Sequence, residues 1–305
     1  MKDTRTASDV VEVARPSTGV IGDYVALTKP RLNFLVVASS AAGCYLGGPS
    51  SPAVLLMAQV VAGTALVAGG AAALNQVYER DTDALMERTR RRPLPDGRVS
   101  PAGAQVFGVT LSLAGLALLA WRANVLAASL ALGTLLVYLI VYTPMKRRTS
   151  LATLIGAAPG AVPALIGWTA SHGSIAAGGA TLFAIVFLWQ IPHFMAIAWL
   201  YRDDYSRAGF PMLTVIELEG RRAGRQAVIY AAALVPVSLA PTLVGIAGPI
   251  YLGVALVLGV ALLVLSVRFA RTRSESAARA LFVGSITYLP LIWLAMIANR
   301  LQVGV

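Results

Sequence analysis

The sequence predicts an all-α, polytopic membrane protein. Three observations carry this: 57% of its 305 residues are hydrophobic and 13% charged, the mean hydropathy is +0.72, and the charges are clustered so that long apolar stretches lie between them. A soluble domain carries nearly twice that share of charge. A helix needs about 20 apolar residues to cross a ~30 Å hydrocarbon core. Alternating strands, the mark of an outer-membrane barrel, are missing. Soluble globular classes are therefore excluded.

The apolar runs predict nine transmembrane helices, over residues 32–48, 53–74, 104–121, 124–143, 151–170, 176–199, 228–246, 249–267 and 281–299. The first two are separated by only Gly47–Pro52. Ser100 followed by Pro101 is a helix-starting pair for the third: the hydroxyl can accept an unsatisfied amide, and the proline has none to lose. The fifth carries Pro159 and Pro163 within GAAPGAVPALIG, where small residues permit close helix approach and the prolines interrupt regular hydrogen bonding. Pro192 predicts a kink in the sixth. The seventh and eighth are joined by the short Ala247–Pro249 connection. Two connections are long and polar, residues 75–103 and 200–227.

Residues 1–23 are expected to form a polar cytoplasmic tail, and residues 24–305 a single domain whose loops 75–103 and 200–227 bear the chemistry. Asp3, Asp9, Glu12 and Asp23 argue against a mitochondrial transit peptide, and the tail has no early apolar core of the secretory type. Cys44 is the single cysteine, so no intrachain disulfide can form.

With nine spans, 23 of the 25 basic residues and all 14 acidic ones fall on one side, leaving Arg122 and Arg300 on the other. Positive-inside asymmetry makes the crowded side cytoplasmic, with the N-terminus in and the C-terminus out. Attraction to anionic lipid accounts for surplus arginine there but not for the carboxylates beside it. The net charge of +11 is thus topological, and no nucleic-acid partner is expected.

The densest polar segment is NQVYERDTDALMERTRRRPLP, residues 75–95. Asn75, Glu79 and Asp83 are spaced four apart, so a continuing helix puts them on one face, with Asp81 pointing elsewhere. Such hard oxygen ligands suit Mg²⁺, which also binds substrate phosphates. Arg88, Arg91 and Arg92 are candidates for the remaining phosphate charge. The competing reading is a solvated loop whose charges pair with one another, although polar groups at membrane depth are costly and mark function.

A second segment, WQIPHFMAIAWLYRDDYSRAG at 189–209, puts Gln190 and His193 on one face and Asp203 and Asp204 at the boundary between Tyr201 and Tyr205. The two aspartates are candidates for a second metal or diphosphate contact, or for plain pairing with Arg202 and Arg207. His193 is either a buried hydrogen-bonding residue or a contact to an acceptor, including a metal in one; His172 reads as an exposed loop residue. In YTPMKRRTS, residues 142–150, Lys146 is either a topogenic charge or an anion ligand. No GxGxxG, Walker, HExxH or CxxC pattern is present, so soluble-type nucleotide and zinc chemistry lack support.

Together NQVYERDTDALMERTRRRPLP, YTPMKRRTS and WQIPHFMAIAWLYRDDYSRAGFPML, with KPRLNFL at 29–35 and the GAAPGAVPALIGW run, resemble the UbiA-type intramembrane prenyltransferase superfamily, and within it the heme-farnesylating branch. The resemblance covers roughly residues 24–300. It implies nine helices around a central cavity and a bacterial plasma-membrane location. It also implies Mg²⁺ as cofactor, farnesyl diphosphate and heme B as substrates, and heme O as product. The superfamily's first acidic motif maps to Asn75, Glu79 and Asp83. The second, usually two aspartates four apart, maps to Tyr201 and Tyr205, with Asp203 and Asp204 between them.

On that basis the expected metal ligands are Asn75, Glu79, Asp83, Asp203 and Asp204, and the expected catalytic set is Asn75, Glu79, Asp83 and Lys146. Arg88, Arg91, Arg92 and Lys146 are expected to bind the diphosphate, and His193 and Arg31 the heme. Membrane lipid and a heme A synthase or oxidase-assembly protein are the implied partners. The alternatives are an aromatic or quinone-precursor acceptor and, more remotely, a transporter, which would place polar groups near the midplane.

Overall fold

The structure, a computed structural model, describes residues 19–49 and 53–301. Most of the expected tail (1–18) and part of the first connection (50–52) lie outside the described residues. The regular elements among the described residues are helices: α1 (Gly19–Leu27), α2 (Pro30–Gly47), α3 (Val54–Asp83), α4 (Pro101–Arg122) and α5 (Val125–Leu136), which passes through a π-helical turn (Val137–Tyr142) into α6 (Thr143–Met145). There follow α7 (Ala152–His172), α8 (Ala177–Leu200), α9 (Arg202–Arg207), α10 (Leu213–Ile216), α11 (Arg221–Leu243), α12 (Pro249–Thr272) and α13 (Glu275–Ala298). Among the described residues the strand-like pairing is one isolated antiparallel bridge, Ala247 with Arg300.

Among the described residues eight helices are long and apolar enough to cross a membrane, from Val54–Asp83 to Glu275–Ala298, counting α5 through α6 as one. The expected span at 32–48 is α2, which is 18 residues long and does not reach the apolarity of those eight, its first turn carrying Arg31 and Asn33. Its Ser39 and Ser40 are buried; the Ser39 hydroxyl donates to the Leu35 carbonyl, and Ser40 shares a hydrogen bond with Thr64 of α3. Ser100 starts α4 as anticipated, accepting the Gly103 amide at 3.1 Å.

Aliphatic residues lie outside as well as inside. Val257, Val264 and Leu294 are exposed, while a core between α7, α8, α11, α12 and α13 buries Trp168, Trp189, Tyr251, Tyr288 and Trp293. A helix apolar all round belongs in lipid. Without a solvent drive to pack helices there, close backbone approach matters more. α2 meets α7 in this way: a Cβ on Gly167 would run into the Ser40 carbonyl and come within 2.7 Å of the Cys44 amide nitrogen.

The connections alternate between two ends. At one end Leu27, Gln76, Thr143 and Lys146 come together; at the other Arg300 bonds the Gly48 carbonyl, and Asn124 bonds that of Thr169. The acidic and basic motifs share the first end.

Candidate active site

α3 runs unbroken to Asp83, so Asn75, Glu79 and Asp83 do lie on one face, with exposures of 1%, 7% and 1%. Asp81 points outward and pairs with Arg80 at 2.9 Å. Each buried group has a fixed partner. Asn75 donates through Nδ2 to Thr143 Oγ1 at 3.1 Å, and the Thr143 hydroxyl spends its proton on the Tyr138 carbonyl at 2.8 Å. That hydroxyl can therefore only accept from Asn75, which sets the amide's orientation. Among the described residues, Asn75 Oδ1 is left buried with no hydrogen-bond partner. The π-helical turn supplies this arrangement, since its wider spacing sends the Thr143 amide to the Tyr138 carbonyl as well. Such turns recur at functional sites.

Glu79 accepts from Lys146 Nζ at 2.9 Å, and that ammonium lies 4.6 Å from the Tyr142 ring centre. Asp83 pairs with Arg92 Nη1 at 2.7 Å, while Thr89 bonds the Asp83 carbonyl. The loop after α3 is thus folded back onto the helix it leaves. Leu94 and Val99 bury against Leu27, Ala73 and Ala104, and Arg98 joins the loop to α1 through Asp23.

One residue that the motif reading did not select joins this cluster. Lys29 bends the chain between α1 and α2 with φ 48° and ψ 55°, in the left-handed region. Burial, then the Arg92 and Lys146 charges, push its ammonium down to about 7 against the opposing pull of Glu79 and Asp83. The available signal was one cation set just before Pro30 at the start of an apolar run.

The second acidic segment behaves differently from its expectation. Asp203 and Asp204 are consecutive on α9 and point apart. The Asp203 side chain is 88% exposed beside Arg202. Asp204 is buried, accepts the Glu87 amide at 3.2 Å and pairs with Arg207. Burial opposes its charge, but the bonds from Arg207 and from the Glu87 and Arg88 amides hold the carboxyl below its usual range. Asp204 therefore fastens the loop after α3 to α9. Among the described residues no three His, Cys, Asp or Glu side chains gather closely enough to hold a metal, so the four carboxylates do not form one cluster. The group on α9 that reaches the site is Tyr205, half-buried, within electrostatic range of Arg88, Tyr142, Lys146 and Glu79.

Of the arginines expected at the diphosphate, Arg92 is paired with a carboxylate of the α3 face. Arg88 is exposed with its guanidinium 5.2 Å from the Tyr201 ring centre, and Arg91 and Arg31 are exposed. Gln190 and His193 turn to different neighbours. Gln190 donates to the Ala157 carbonyl of α7, in space that Gly160 leaves open, whereas His193 Nδ1 meets Ser285 Oγ of α13 at 2.8 Å. Ser285 gives its proton to the Phe282 carbonyl, so Nδ1 is the donor to Ser285 and Nε2 keeps its lone pair. Trp189 and Phe282 stack against the imidazole. His172 is exposed, against Trp168.

The donor set fits a hard divalent cation: one unpartnered amide oxygen and two carboxylates on a single helical face. Lys146, Arg92 and Lys29 surround it with positive charge. Oxygen donors beside cations are a chemistry suited to a metal-bound phosphorylated group.

Residues 36–295 match the sequence profile of the UbiA prenyltransferase family, and the chain belongs to that family. A curated relative, the protoheme IX farnesyltransferase of Solibacter usitatus, is 46% identical over 287 residues, covering 91% of this chain and 98% of its own. Solved structures share the fold. A digeranylgeranylglyceryl phosphate synthase superposes with a TM-score of 0.77 at 16% identity, over 92% of this chain and 98% of its own. A UbiA homolog from Archaeoglobus fulgidus bound to GPP and Mg²⁺ does so at 0.66 and 16%, over 90% and 99%.

Proposed function

We propose that this protein transfers the farnesyl group of farnesyl diphosphate to a vinyl group of heme B, with addition of water, giving heme O and diphosphate. The acceptor follows from the protoheme IX farnesyltransferase that the chain resembles over nearly its whole length. The observation that carries the chemistry is the unpartnered Asn75 Oδ1 beside the Glu79–Lys146 and Asp83–Arg92 pairs.

Asn75, Glu79 and Asp83 would hold Mg²⁺, which supplies Lewis-acid neutralisation of the diphosphate oxygens. Lys146 and Arg92 already sit at these carboxylates and donate to the same oxygens as charge develops on them, with Arg88 and Arg91 at the exposed rim. The allylic C–O bond breaks and diphosphate departs with the electron pair. The vinyl group adds to the farnesyl carbon, water captures the resulting cation, and one proton is released. Asp204 contributes by holding the loop at Glu87 and Arg88, and Asp203 at the exposed edge has at most a peripheral role. His193, with its Nε2 lone pair, would contact the heme, and Arg31 of α2 would meet a propionate. The charge asymmetry supports a cytoplasmic position for this end, with the protein in a bacterial plasma membrane.

The test is conversion of heme B and farnesyl diphosphate to heme O by purified protein in lipid, with and without Mg²⁺, beside a hydroxybenzoate-like acceptor. Mg²⁺-dependent heme O is expected. Turnover unchanged by combined Asn75→Ala and Asp83→Ala substitution would sink the metal site, and prenylation of the aromatic acceptor alone would sink the heme assignment.

A further inference from the structure

Lys29 stands apart from the other two cations of the site. Lys146 is paired with Glu79 and Arg92 with Asp83, but among the described residues Lys29 makes no ion pair. It is nonetheless held in place. Gln76, the residue after Asn75, donates to the Leu27 carbonyl at 2.7 Å; Asn33 donates to the Thr28 carbonyl at 2.7 Å; the Leu32 and Asn33 amides close on the Lys29 carbonyl at 3.0 Å. Thr28 packs where Gly69 of α3 leaves room, and Pro30 begins α2 immediately after. The bend is therefore built onto the same helix that carries Asn75, Glu79 and Asp83.

Its conformation is the second observation. At φ 48° a side chain crowds its own backbone, and glycine occupies such positions without strain. Gly19, Gly97, Gly173, Gly209, Gly220 and Gly245 serve the other left-handed positions outside Arg273. A lysine in this strained bend, half-buried and among charged groups, implies that the side chain itself is needed.

We infer that Lys29 contacts the diphosphate of the prenyl donor directly, as the third cation of the site and the one not already committed to a carboxylate. Lys146 and Arg92 must share their charge with Glu79 and Asp83 when donor and metal enter, whereas the protonated Lys29 is paired with neither. The inference rests on the prenyl-diphosphate reading above. It adds the bend before α2 to a site otherwise built from α3, its following loop and the end of α6.

The experiment measures binding of farnesyl thiodiphosphate, a slowly ionising donor analogue, with Mg²⁺ to purified full-length protein in lipid. Heme B binding and thermal unfolding are measured alongside. The variants are Lys29→Gly, which relieves the backbone, Lys29→Met, which keeps the strain and removes the charge, and Lys29→Arg, which keeps the charge. Loss of a charge-assisted hydrogen bond should weaken analogue binding roughly 10- to 100-fold in both the Gly and Met variants. Heme B binding should be unchanged, the Gly variant should be at least as heat-stable as the parent, and Lys29→Arg should stay within a few-fold. Full binding by Lys29→Gly would overturn the inference, whatever the Met variant does, since the strained lysine would then serve only the bend. If the parent protein binds no analogue, the prenyl-diphosphate reading fails instead, which separates the two.

Discussion

Replacing Lys146 by methionine should destabilise the fold more than replacing Lys146 and Glu79 together. The pair is nearly enclosed, with the two side chains 16% and 9% exposed and 2.9 Å apart, so solvent screens it little. Lys146→Met keeps the aliphatic stem that lies by Tyr142 but leaves the Glu79 carboxylate without its counter-charge. Breaking one side of a buried pair costs about 3–5 kcal/mol, most of it from the charge left unpaired. Adding Glu79→Gln removes that charge while keeping the shape, so the double variant should lie about 2–4 kcal/mol above the single one. Lys29 lies near enough to moderate the penalty, which favours the lower half of the range. The assay is equilibrium unfolding in detergent of the parent, both singles and the double, without Mg²⁺. A double variant as unstable as the sum of the singles would mean that the two groups do not interact in the folded protein, and the ion-pair reasoning would fail.

Four further outcomes follow from the same geometry. The KM for farnesyl diphosphate should rise as pH increases above about 7, because the Lys29 ammonium, held near 7, is charged below that pH and donor binding favours the charged form; this part of the dependence should disappear in Lys29→Arg. Thr143→Val frees the Asn75 amide to turn, so the Mg²⁺ concentration for half-maximal activity should increase roughly tenfold or more, with the fold intact by circular dichroism. An unchanged Mg²⁺ requirement would count against the assigned orientation of Asn75. Gly167→Ala should lower thermal stability by about 1–3 kcal/mol by forcing α2 from α7, and an unaltered unfolding temperature would contradict the close approach. Ser285→Ala removes the acceptor that orients His193, so it should weaken heme B binding and alter the bound heme's absorption while leaving the KM for farnesyl diphosphate alone.

Much of the site was legible along α3 because a helix turns one-dimensional spacing into geometry. Residues four apart share a face, and Asn75, Glu79 and Asp83 do so as long as nothing stops the helix before Asp83. Lys146 was legible as a charge at the end of an apolar run, but not its role, since a topogenic lysine and an anion ligand have the same sequence signature. The loop after α3 was less readable. Arg88, Arg91 and Arg92 are nearly adjacent, and only the turn that returns the chain to Asp83 selects Arg92. The same holds on α9, where one step along the helix sends Asp203 into solvent and Asp204 onto the Glu87 amide.

What the sequence determined by itself is the environment and the polarity of the molecule. Apolar runs of bilayer length leave the chain few stable structures other than packed helices, because unpaired backbone groups are not tolerated in hydrocarbon. Its charge distribution brought the acids and bases to one end. Tertiary structure alone decided which of those charges meet. Lys29, Lys146 and Glu79 are separated by 50 to 117 residues along the chain, yet they share one electrostatic neighbourhood. Membrane topology places α2, α3 and α6 at the same end, and helix packing sets which side chains face each other. A long-range pairing of that kind leaves no periodic trace in the sequence, because each partner obeys only the spacing of its own helix.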